Sequence, residues 1–338
     1  MAESPRFKIV SFTPYPAEIL RALFMPIAED MGFRGELEFK VIRDLSDREA
    51  LYRELEDADV IVGDFTFEIP IDRDMIMHMK RVRLIQQPST GFDHIDIDAA
   101  REAGIPVANI GGANSISVAE HTIAMALALL KRMFQSHVRT QAGDWAQQEF
   151  FNLGIFELYG KKWGIIGMGR IGREVAKRVR AFGASVIYYD VRRLPPEQEE
   201  ELGVEYREFN RLISEADIIS IHVPLTPETR HMIGERELRR MKGSAILINP
   251  SRGEIVDEEA LAKAIKNRWI FGAGVDVYSR EPPPKDHPLL GLEGYNVITT
   301  PHLAGATNEA RQRIIETSVR NIIRVLMGGE PENVVNMG

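Results

Sequence analysis

The chain has 338 residues, enough for two domains of ordinary size, and its hydrophobic share of 44% is that of a globular protein. A net charge of −8 without a long basic block argues against nucleic acid as a partner, and the lack of cysteine excludes disulfides and thiol catalysis. No apolar segment approaches the ~20 residues of a membrane span, and the N-terminus lacks a signal pattern, so we expect a cytoplasmic protein without a membrane partner.

The first 105 residues alternate short apolar runs with helical stretches. The predicted strands are 7–12, 37–42, 58–63 and 83–86, and the predicted helices are 17–31 and 48–55. Such alternation is typical of a parallel sheet covered by helices. Because no glycine-rich phosphate loop follows the first strand, this domain is not expected to bind the nucleotide.

The loop PSTG at 88–91 follows the predicted strand 83–86. Open α/β sheets bind ligands at the carboxyl ends of their strands. The backbone N–H groups around Thr90 and Gly91 therefore suit a small anion. An ordinary turn explains the same residues equally well, and both interpretations stay open.

An S-x-x-E sequence at Ser117 and Glu120 predicts a capping box at the start of a helix that runs to about Arg132. Residues 123–130 are apolar on every side, so the helix must be buried in a core or in an interface. We favour a position between subunits or between domains. His121 on this helix is predicted to be structural.

The most informative stretch is 161–190. A short apolar run at 162–166 predicts a buried strand, and an amphipathic helix follows it. Three glycines in the order G-x-G-x-x-G join the two, at Gly167, Gly169 and Gly172. They allow a tight turn, a close approach to a pyrophosphate and close packing of helix on strand. The phosphates would rest on the helix N-terminus, which begins with Arg170 and Ile171.

A second apolar run, 186–189, ends on Asp190, 18 residues after Gly172. This is close to the spacing of the acid that bonds an adenosine ribose. A carboxylate there accepts hydrogen bonds from a 2′-hydroxyl and repels a 2′-phosphate, which favours NAD over NADP. Arg192 and Arg193 could soften that repulsion, but two solvated loop arginines are the preferred interpretation.

The alternation continues to the end of the chain. Pro195, Pro196 and the acidic run after them are predicted to form a surface loop, and the tail from 328 a loosely held end. The predicted strands are 217–223, 244–249, 272–277 and 296–300. The predicted helices are 258–267, capped by Asp257, and 309–327.

Arg252, Glu281 and His302 each lie just past the carboxyl end of one of these strands. If the strands are parallel in one sheet, the three loops open on the crevice where the nicotinamide is expected. Arginine suits a carboxylate, histidine moves a proton near neutral pH, and a glutamate beside it stabilises the imidazolium. Taken singly, each residue has a simpler explanation: Arg252 as a phosphate contact, Glu281 as a solvated loop acid and His302 as a capped loop histidine. Together, beside a dinucleotide fold, they predict a catalytic site.

The chain resembles the D-isomer-specific 2-hydroxyacid dehydrogenases, especially the phosphoglycerate dehydrogenase and glyoxylate reductase branch. The resemblance covers nearly the whole chain. Its motifs are GFDHID at 91–96, SVAEHT at 117–122, GIIGMGRIG at 164–172, HVPLTPET at 222–229, NPSRGEIVD at 249–257, GVDVYSREP at 274–282 and PHLAGAT at 301–307.

The resemblance implies NAD as cofactor, a small 2-keto or 2-hydroxy acid as substrate, and no metal. Arg252 would bind the substrate carboxylate and polarise the ketone, and His302, paired with Glu281, would be the acid–base. Asp276 would face the nicotinamide carboxamide. Further cofactor contacts are implied for His222, Pro224, Thr229, Asn249, Pro250, Ser251 and Gly305. The substrate carboxylate would also be held by Ser89, Thr90 and Gly91.

The resemblance further implies an α/β fold of two Rossmann-like or flavodoxin-like domains with parallel sheets. Residues 1–107 and 303–338 would form a discontinuous substrate-binding domain, into which an NAD-binding domain of residues 108–302 is inserted. A homodimer that uses the helix after SVAEH is expected.

The sequence departs from the family in two places. It has NPSRG where NxARG is more usual, so that Pro250 removes one backbone donor, and it ends near 338 without a regulatory extension, so that serine feedback is not expected. Glu281 argues against formate as substrate, since formate dehydrogenases of this superfamily lack it. Glyoxylate, hydroxypyruvate and 3-phosphohydroxypyruvate stay open, as does an NAD(H)-sensing, corepressor-like binding protein on the same fold.

Overall fold

The structure is a computed structural model that describes residues 5–337. It divides into two compact units, one made of Met1–Asn114 and Asn308–Gly338 and the other of Ser115–Thr307. The second unit is therefore inserted into the first. The divisions fall a few residues beyond 107 and 302.

The first unit contains a five-stranded parallel sheet in the order β2-β1-β3-β4-β5. Its strands are β1 (Arg6–Ser11), β2 (Glu36–Val41), β3 (Val60–Val62), β4 (Leu84–Gln86) and β5 (Val107–Ala108). Its first helices are α1 (Ala17–Asp30), α2 (Arg48–Glu56), α3 (Arg73–Met77) and α4 (Ile97–Glu102). This strand order is flavodoxin-like, as expected.

The second unit contains a seven-stranded parallel sheet in the order β12-β11-β10-β9-β6-β7-β8. Its strands are β6 (Lys162–Ile166), β7 (Ser185–Tyr189), β8 (Val204–Tyr206), β9 (Ile218–Ile221), β10 (Ile246–Asn249), β11 (Gly272–Val275) and β12 (Val297–Thr299). Its helices are α5 (Ser115–Leu130), α6 (Met133–Gln141), α7 (Gln147–Leu153), α8 (Arg170–Ala181), α9 (Pro196–Leu202), α10 (Phe209–Glu215), α11 (Glu235–Arg240) and α12 (Glu258–Lys266). The strand order reverses between β6 and β9, which is where such sheets open a ligand crevice.

Both faces of the second sheet are covered, because side chains of a strand alternate between its faces. Ile165 packs into the apolar cluster that includes α5 and α8, whereas Ile166 packs into the cluster that includes α10, α11 and α12. The strands therefore read as continuous apolar runs, and this explains why sequence periodicity located them well.

Helix α5 corrects one prediction. It begins at Ser115, so Ser117 lies inside the helix, and its hydroxyl donates to the carbonyl of Ala304 (2.6 Å) instead of capping the helix. The capping box is therefore wrong. Residues 123–130 pack against α8, β10 and β11, so the core of this unit accounts for the apolar character that we had ascribed to an interface.

Helix α9 replaces a predicted surface loop. Pro196 occupies its first turn, and Glu197 and Glu199 follow in the same turn. Proline at the first helical position and acids near the N-terminus both favour a helix start, so the sequence contained the signal.

The chain returns to the first unit with α13 (Asn308–Leu326) and a tail that is not loosely held. Val334 pairs with Ala108 on the edge strand β5. The Asn336 side chain accepts from the amide of Val107 (2.8 Å) and donates to the carbonyl of Ile105 (2.9 Å). An edge strand presents unpaired backbone groups, and the tail satisfies them here.

Within residues 5–337, no helix combines the length and the apolar character needed to cross a membrane.

Candidate active site

The glycine loop follows β6, and two of its glycines are sterically required. A Cβ on Gly167, which has φ +96°, would lie 2.7 Å from the carbonyl carbon of His222, and one on Gly172 would lie 2.2 Å from the carbonyl oxygen of Gly167. A Cβ on Gly169 would meet nothing within 4 Å. The first and third glycines thus allow the close packing, and the second leaves its face open.

The N-terminus of α8 has the features of an anion site. Gly169 is the N-cap and provides no side-chain cap. The amides of Gly169 and Ile171 donate to no other residue in the described part of the chain. Free amides at the positive end of a helix dipole fit a pyrophosphate, so the residues present match the dinucleotide that the motif predicts.

The carboxylate of Asp190 is fixed directly after β7. One oxygen accepts from the amide of Met168 (2.7 Å) and the other from the amide of Arg192 (3.0 Å). A carboxylate oxygen can accept more than one hydrogen bond. Asp190 therefore keeps acceptor capacity for ribose hydroxyls while its negative charge is held in place.

His222 follows β9 and is half-buried, with a neutral imidazole. Its Nε2 lies 2.9 Å from the hydroxyl of Ser220, which also accepts from the indole of Trp163 (2.8 Å). Burial lowers the pKa of His222 to about 3. Its Nδ1 is buried and has no hydrogen-bond partner among residues 5–337, so one polar atom remains for a ligand such as the cofactor.

Thr229 closes the loop that begins at His222. Its hydroxyl donates to the carbonyl of Pro224 (2.7 Å) and accepts from the amide of Thr226 (2.8 Å). The hydroxyl therefore shapes the loop. The sequence had indicated only a cofactor contact for Thr229 and not this structural role.

Arg252, Glu281 and His302 follow β10, β11 and β12, which are neighbours in the sheet. Nδ1 of His302 lies 2.7 Å from Oε2 of Glu281, and Oε1 of Glu281 accepts from the amide of Tyr278 (2.9 Å). This pairing orients the ring and favours a proton on Nδ1, between the imidazole and the carboxylate.

The electrostatics of the pair follow from its surroundings. Burial raises the pKa of Glu281, but the hydrogen bond with His302 and the charges of His302 and Arg252 lower it by more. The net pKa of Glu281 lies below the usual range, so the carboxylate is ionised at neutral pH.

The loop that carries Arg252 is pressed onto the loop that carries Glu281. A Cβ on Gly253 would lie 2.0 Å from the carbonyl carbon of Tyr278. The Asn249 side chain donates to the carbonyl of Arg252 (2.8 Å) and accepts from the amide and the hydroxyl of Ser251 (3.1 and 2.8 Å). Asn249 and Ser251, predicted as cofactor contacts on either side of Pro250, thus also shape the turn that presents Arg252.

Asp276 holds the loop that carries His302. Its buried carboxylate accepts from the hydroxyl of Thr300 (2.5 Å) and from the amides of Leu303 (2.9 Å) and Ala304 (2.8 Å). Its backbone carbonyl accepts from the amide of His302 (2.8 Å), which has φ +54°. The sequence predicted a cofactor contact for Asp276 and missed this anchoring role; Gly305 follows in the same loop.

Glu258 and His287 support the 278–281 loop, and sequence reasoning missed both. Oε1 of Glu258 accepts from the amide of Ser279 (2.9 Å), and Oε2 lies 3.1 Å from Nε2 of His287. The buried His287 ring meets Tyr278 edge-on, with centroids 5.4 Å apart. The sequence placed Glu258 only at the start of the predicted helix 258–267, and no local pattern marks His287.

Ser89, Thr90 and Gly91 lie in the first unit, whereas the other predicted site residues lie in the second. The hydroxyl of Ser89 donates to the carbonyl of Gly91 (2.7 Å), and that of Thr90 donates to Asn114 (2.9 Å). The amides of Thr90 and Gly91 have no partner among the described residues. The turn therefore retains two donors that suit an anion.

A dinucleotide cradle and a proton-transfer pair on one edge of a parallel sheet define a nucleotide-dependent oxidoreductase. The model of the D-isomer specific 2-hydroxyacid dehydrogenase NAD binding domain matches residues 123–304. The chain is 42% identical to a glyoxylate reductase of Korarchaeum cryptofilum over 86% of both chains. It is 43% identical to a D-3-phosphoglycerate dehydrogenase of Methanocaldococcus jannaschii over 86% of this chain and 54% of that one.

Solved structures agree with these similarities. An NAD-dependent formate dehydrogenase from Staphylococcus aureus in complex with NAD matches with a TM-score of 0.81 and 31% identity, over 98% of this chain and 99% of that one. The chain therefore belongs to the D-isomer-specific 2-hydroxyacid dehydrogenase family, as the motifs predicted, and NAD is its cofactor.

Proposed function

We propose that this protein uses NADH to reduce a small 2-keto acid to the 2-hydroxy acid. The observation that carries the proposal is the His302–Glu281 pair, whose nitrogen and oxygen are 2.7 Å apart. Glu281 and His302 follow β11 and β12, and Arg252 follows the neighbouring strand β10. Relatives named glyoxylate reductase match over 80–87% of their own length, and two named D-3-phosphoglycerate dehydrogenase over 54% and 58%. Glyoxylate is therefore the first candidate, ahead of hydroxypyruvate and 3-phosphohydroxypyruvate.

In the proposed mechanism Arg252 binds the substrate carboxylate through charge-assisted hydrogen bonds and polarises the ketone. His302 donates the proton on Nε2 to the ketone oxygen, and Glu281 stabilises the imidazolium before that transfer. Bound NADH supplies the hydride for C2. The neutral His222, the loop at 224–229 and the anchored Asp276 would line the nicotinamide half of the cofactor, and Asp190 the ribose of its other half.

We assign substrate binding to the unit that contains Ser89–Gly91, because its free amides suit a carboxylate. NAD binding is assigned to the inserted unit, which the NAD binding domain model covers. We place the reaction in the cytoplasm, where a pool of NADH is available.

We also propose a homodimer formed through α6 and α7. Four apolar side chains on these helices are more than half exposed: Met133, Phe134, Val138 and Phe151. The two helices are tied together by Arg139, which donates to both oxygens of Glu149. Exposed apolar groups in such number mark an interaction surface. Light scattering after size-exclusion chromatography should give the mass of a dimer, and Phe134→Glu with Val138→Glu should give a monomer; a monomeric parent protein would reject the proposal.

The activity is tested by following NADH oxidation with glyoxylate, hydroxypyruvate, 3-phosphohydroxypyruvate and pyruvate. Buffer without any 2-keto acid is the blank. Turnover on one of the first three identifies the substrate. If NADH binds and no 2-keto acid is reduced, the proposed function is wrong, and the corepressor-like alternative, which none of the similarities supports, would have to be reconsidered.

A further inference from the structure

The loop after β7 holds an arginine in an unexpected place. Nε and Nη2 of Arg193 donate to the two carboxylate oxygens of Glu199, each at 2.9 Å. The guanidinium lies over the ring of Tyr206, 5.3 Å from its centroid. Arg193 is therefore a solvent-exposed loop arginine, as the sequence had suggested, but it is also bound at two oxygens and stacked.

Glu199 is itself held by the core. Its Oε1 accepts from the hydroxyl of Tyr188 (2.7 Å), and the same hydroxyl accepts from the amide of Leu194 (2.9 Å). Tyr188 is fully buried, and the Glu199 side chain is 13% exposed against 60% for Arg193. The carboxylate is thus held on the core side, and the arginine is the more exposed partner of the pair.

The charge states of the group are stable near neutral pH. The hydrogen bond with Arg193 is the main cause that holds the pKa of Glu199 below its ordinary value. Burial raises the pKa of Tyr188 to about 12, so its hydroxyl remains a donor. Glu199 is consequently an anion that accepts hydrogen bonds from Tyr188 and Arg193. It competes for Arg193 with any other anion nearby.

A second anion would come with the cofactor. Dinucleotide folds distinguish the two nicotinamide cofactors by an acid that bonds the ribose 2′-hydroxyl or by a nearby arginine that accommodates a 2′-phosphate. Asp190 is the acid, and Arg193 starts three residues later, a span of at most ~11 Å. A guanidinium that begins so near suits a phosphate well, since it can bond two oxygens at once.

We propose that Glu199 determines cofactor specificity: by retaining Arg193, it withholds an arginine that would otherwise bind the 2′-phosphate of NADPH. Exclusion of NADPH then has two parts. Asp190 repels the phosphate, and Glu199 keeps the compensating cation away. This inference rests on NAD binding and does not depend on which 2-keto acid is reduced.

The test compares dissociation constants of NADH and NADPH, measured by tryptophan fluorescence without substrate, in the parent protein and in Asp190→Ser. In both backgrounds Glu199→Gln should tighten NADPH binding about threefold to tenfold, as expected for a partly exposed ion pair, and leave NADH within about twofold. The glutamine keeps the size and the bond to Tyr188. The gain should shrink at high salt.

Three control variants make the interpretation specific. Glu197→Gln removes the same charge from the same turn of α9, where the side chain is exposed, and should leave both constants unchanged. Adding Arg193→Ala to Glu199→Gln should abolish the gain, whereas adding Arg192→Ala should not. No gain in Glu199→Gln, an equal gain in Glu197→Gln, or a gain that survives Arg193→Ala would each overturn the proposal.

Discussion

The two halves of the second sheet build their parts of the site differently. On the β6–β7 side, the cradle consists of backbone: glycines that allow close packing, amides at the start of α8, and one carboxylate held by two amides. On the β10–β12 side, three side chains follow three strands: Asn249 and Ser251 shape the turn of Arg252, Glu281 is paired with His302, and the loop of His302 is held by the distant Asp276.

This difference has a physical reason. A phosphate needs only donors and a favourable dipole, which a single strand–turn–helix supplies. Proton transfer needs one nitrogen at a defined position, and that requires a partner such as Glu281 and anchors such as Asp276. Cofactor binding by the backbone half should therefore be lost when a substitution adds atoms to a glycine. Catalysis by the side-chain half should be lost when a substitution removes a functional group.

The largest effect is expected for His302→Ala. Loss of the acid–base should lower the rate of ketone reduction about 10²- to 10⁴-fold, while NADH binding stays unchanged because the glycine loop follows β6, several strands away along the same edge of the sheet. The rate is measured with saturating NADH, with His137→Ala, at an exposed histidine of α6, as control. Unchanged turnover would refute the assigned mechanism.

Gly172→Val tests the backbone half. The added Cβ would overlap the carbonyl of Gly167 and displace the glycine loop. We expect this overpacking to cost up to about 3 kcal/mol of binding free energy, which is a loss of NADH affinity of about 100-fold. Fluorescence titration gives the affinity, and circular dichroism shows whether the unit remains folded. Gly169→Ala, whose Cβ meets open space, should keep the fold and thermal midpoint of the parent; equal damage from both substitutions would argue against the steric explanation.

Glu281→Gln should slow reduction about 10- to 100-fold, the value of a charge-assisted hydrogen bond of ~1.5–3 kcal/mol. Because the pKa of Glu281 lies below its usual range, the carboxylate is ionised throughout pH 5–8, and its stabilising contribution is lost only as the pH falls below about 4.3. Without that charge, the alkaline fall of the reduction rate should move to lower pH. A pH–rate profile that keeps its shape would contradict the pairing; Glu259→Gln on α12 is the matched control.

The smallest effect concerns stability. The pKa of His222 is about 3 when folded and ~6.5 when unfolded, so neutral burial stabilises the fold above pH 6.5 and is progressively lost as the pH falls towards 3. Between pH 7 and 5.5 the parent should lose about 1 kcal/mol more unfolding free energy than His222→Gln, measured by urea denaturation. The unfolding free energy of His137→Gln should change with pH as that of the parent does. If the unfolding free energy of His222→Gln also changes with pH as that of the parent does, His222 does not titrate on unfolding.

Sequence reasoning located the parts of the molecule whose signals are local. The glycine loop, Asp190 and the strand ends that carry Arg252, Glu281 and His302 follow from apolar runs and the parallel-sheet rule. It failed where a distant partner decides: Ser117 bonds Ala304 across the fold, and Asn336 bonds the edge of β5. Glu258 and His287 likewise act through three-dimensional contacts that no spacing encodes.

The first unit is assembled from both ends of the chain, and this has a consequence for synthesis. Helix α13 covers the sheet with Val319, Ile322 and Ile323, and the tail closes the edge at β5. At 5–20 residues per second, the ribosome needs roughly 10–40 s to make the inserted unit between these two parts. We therefore expect the inserted unit to fold first, while the nascent amino-terminal sheet waits with an apolar face and an open edge exposed to chaperones.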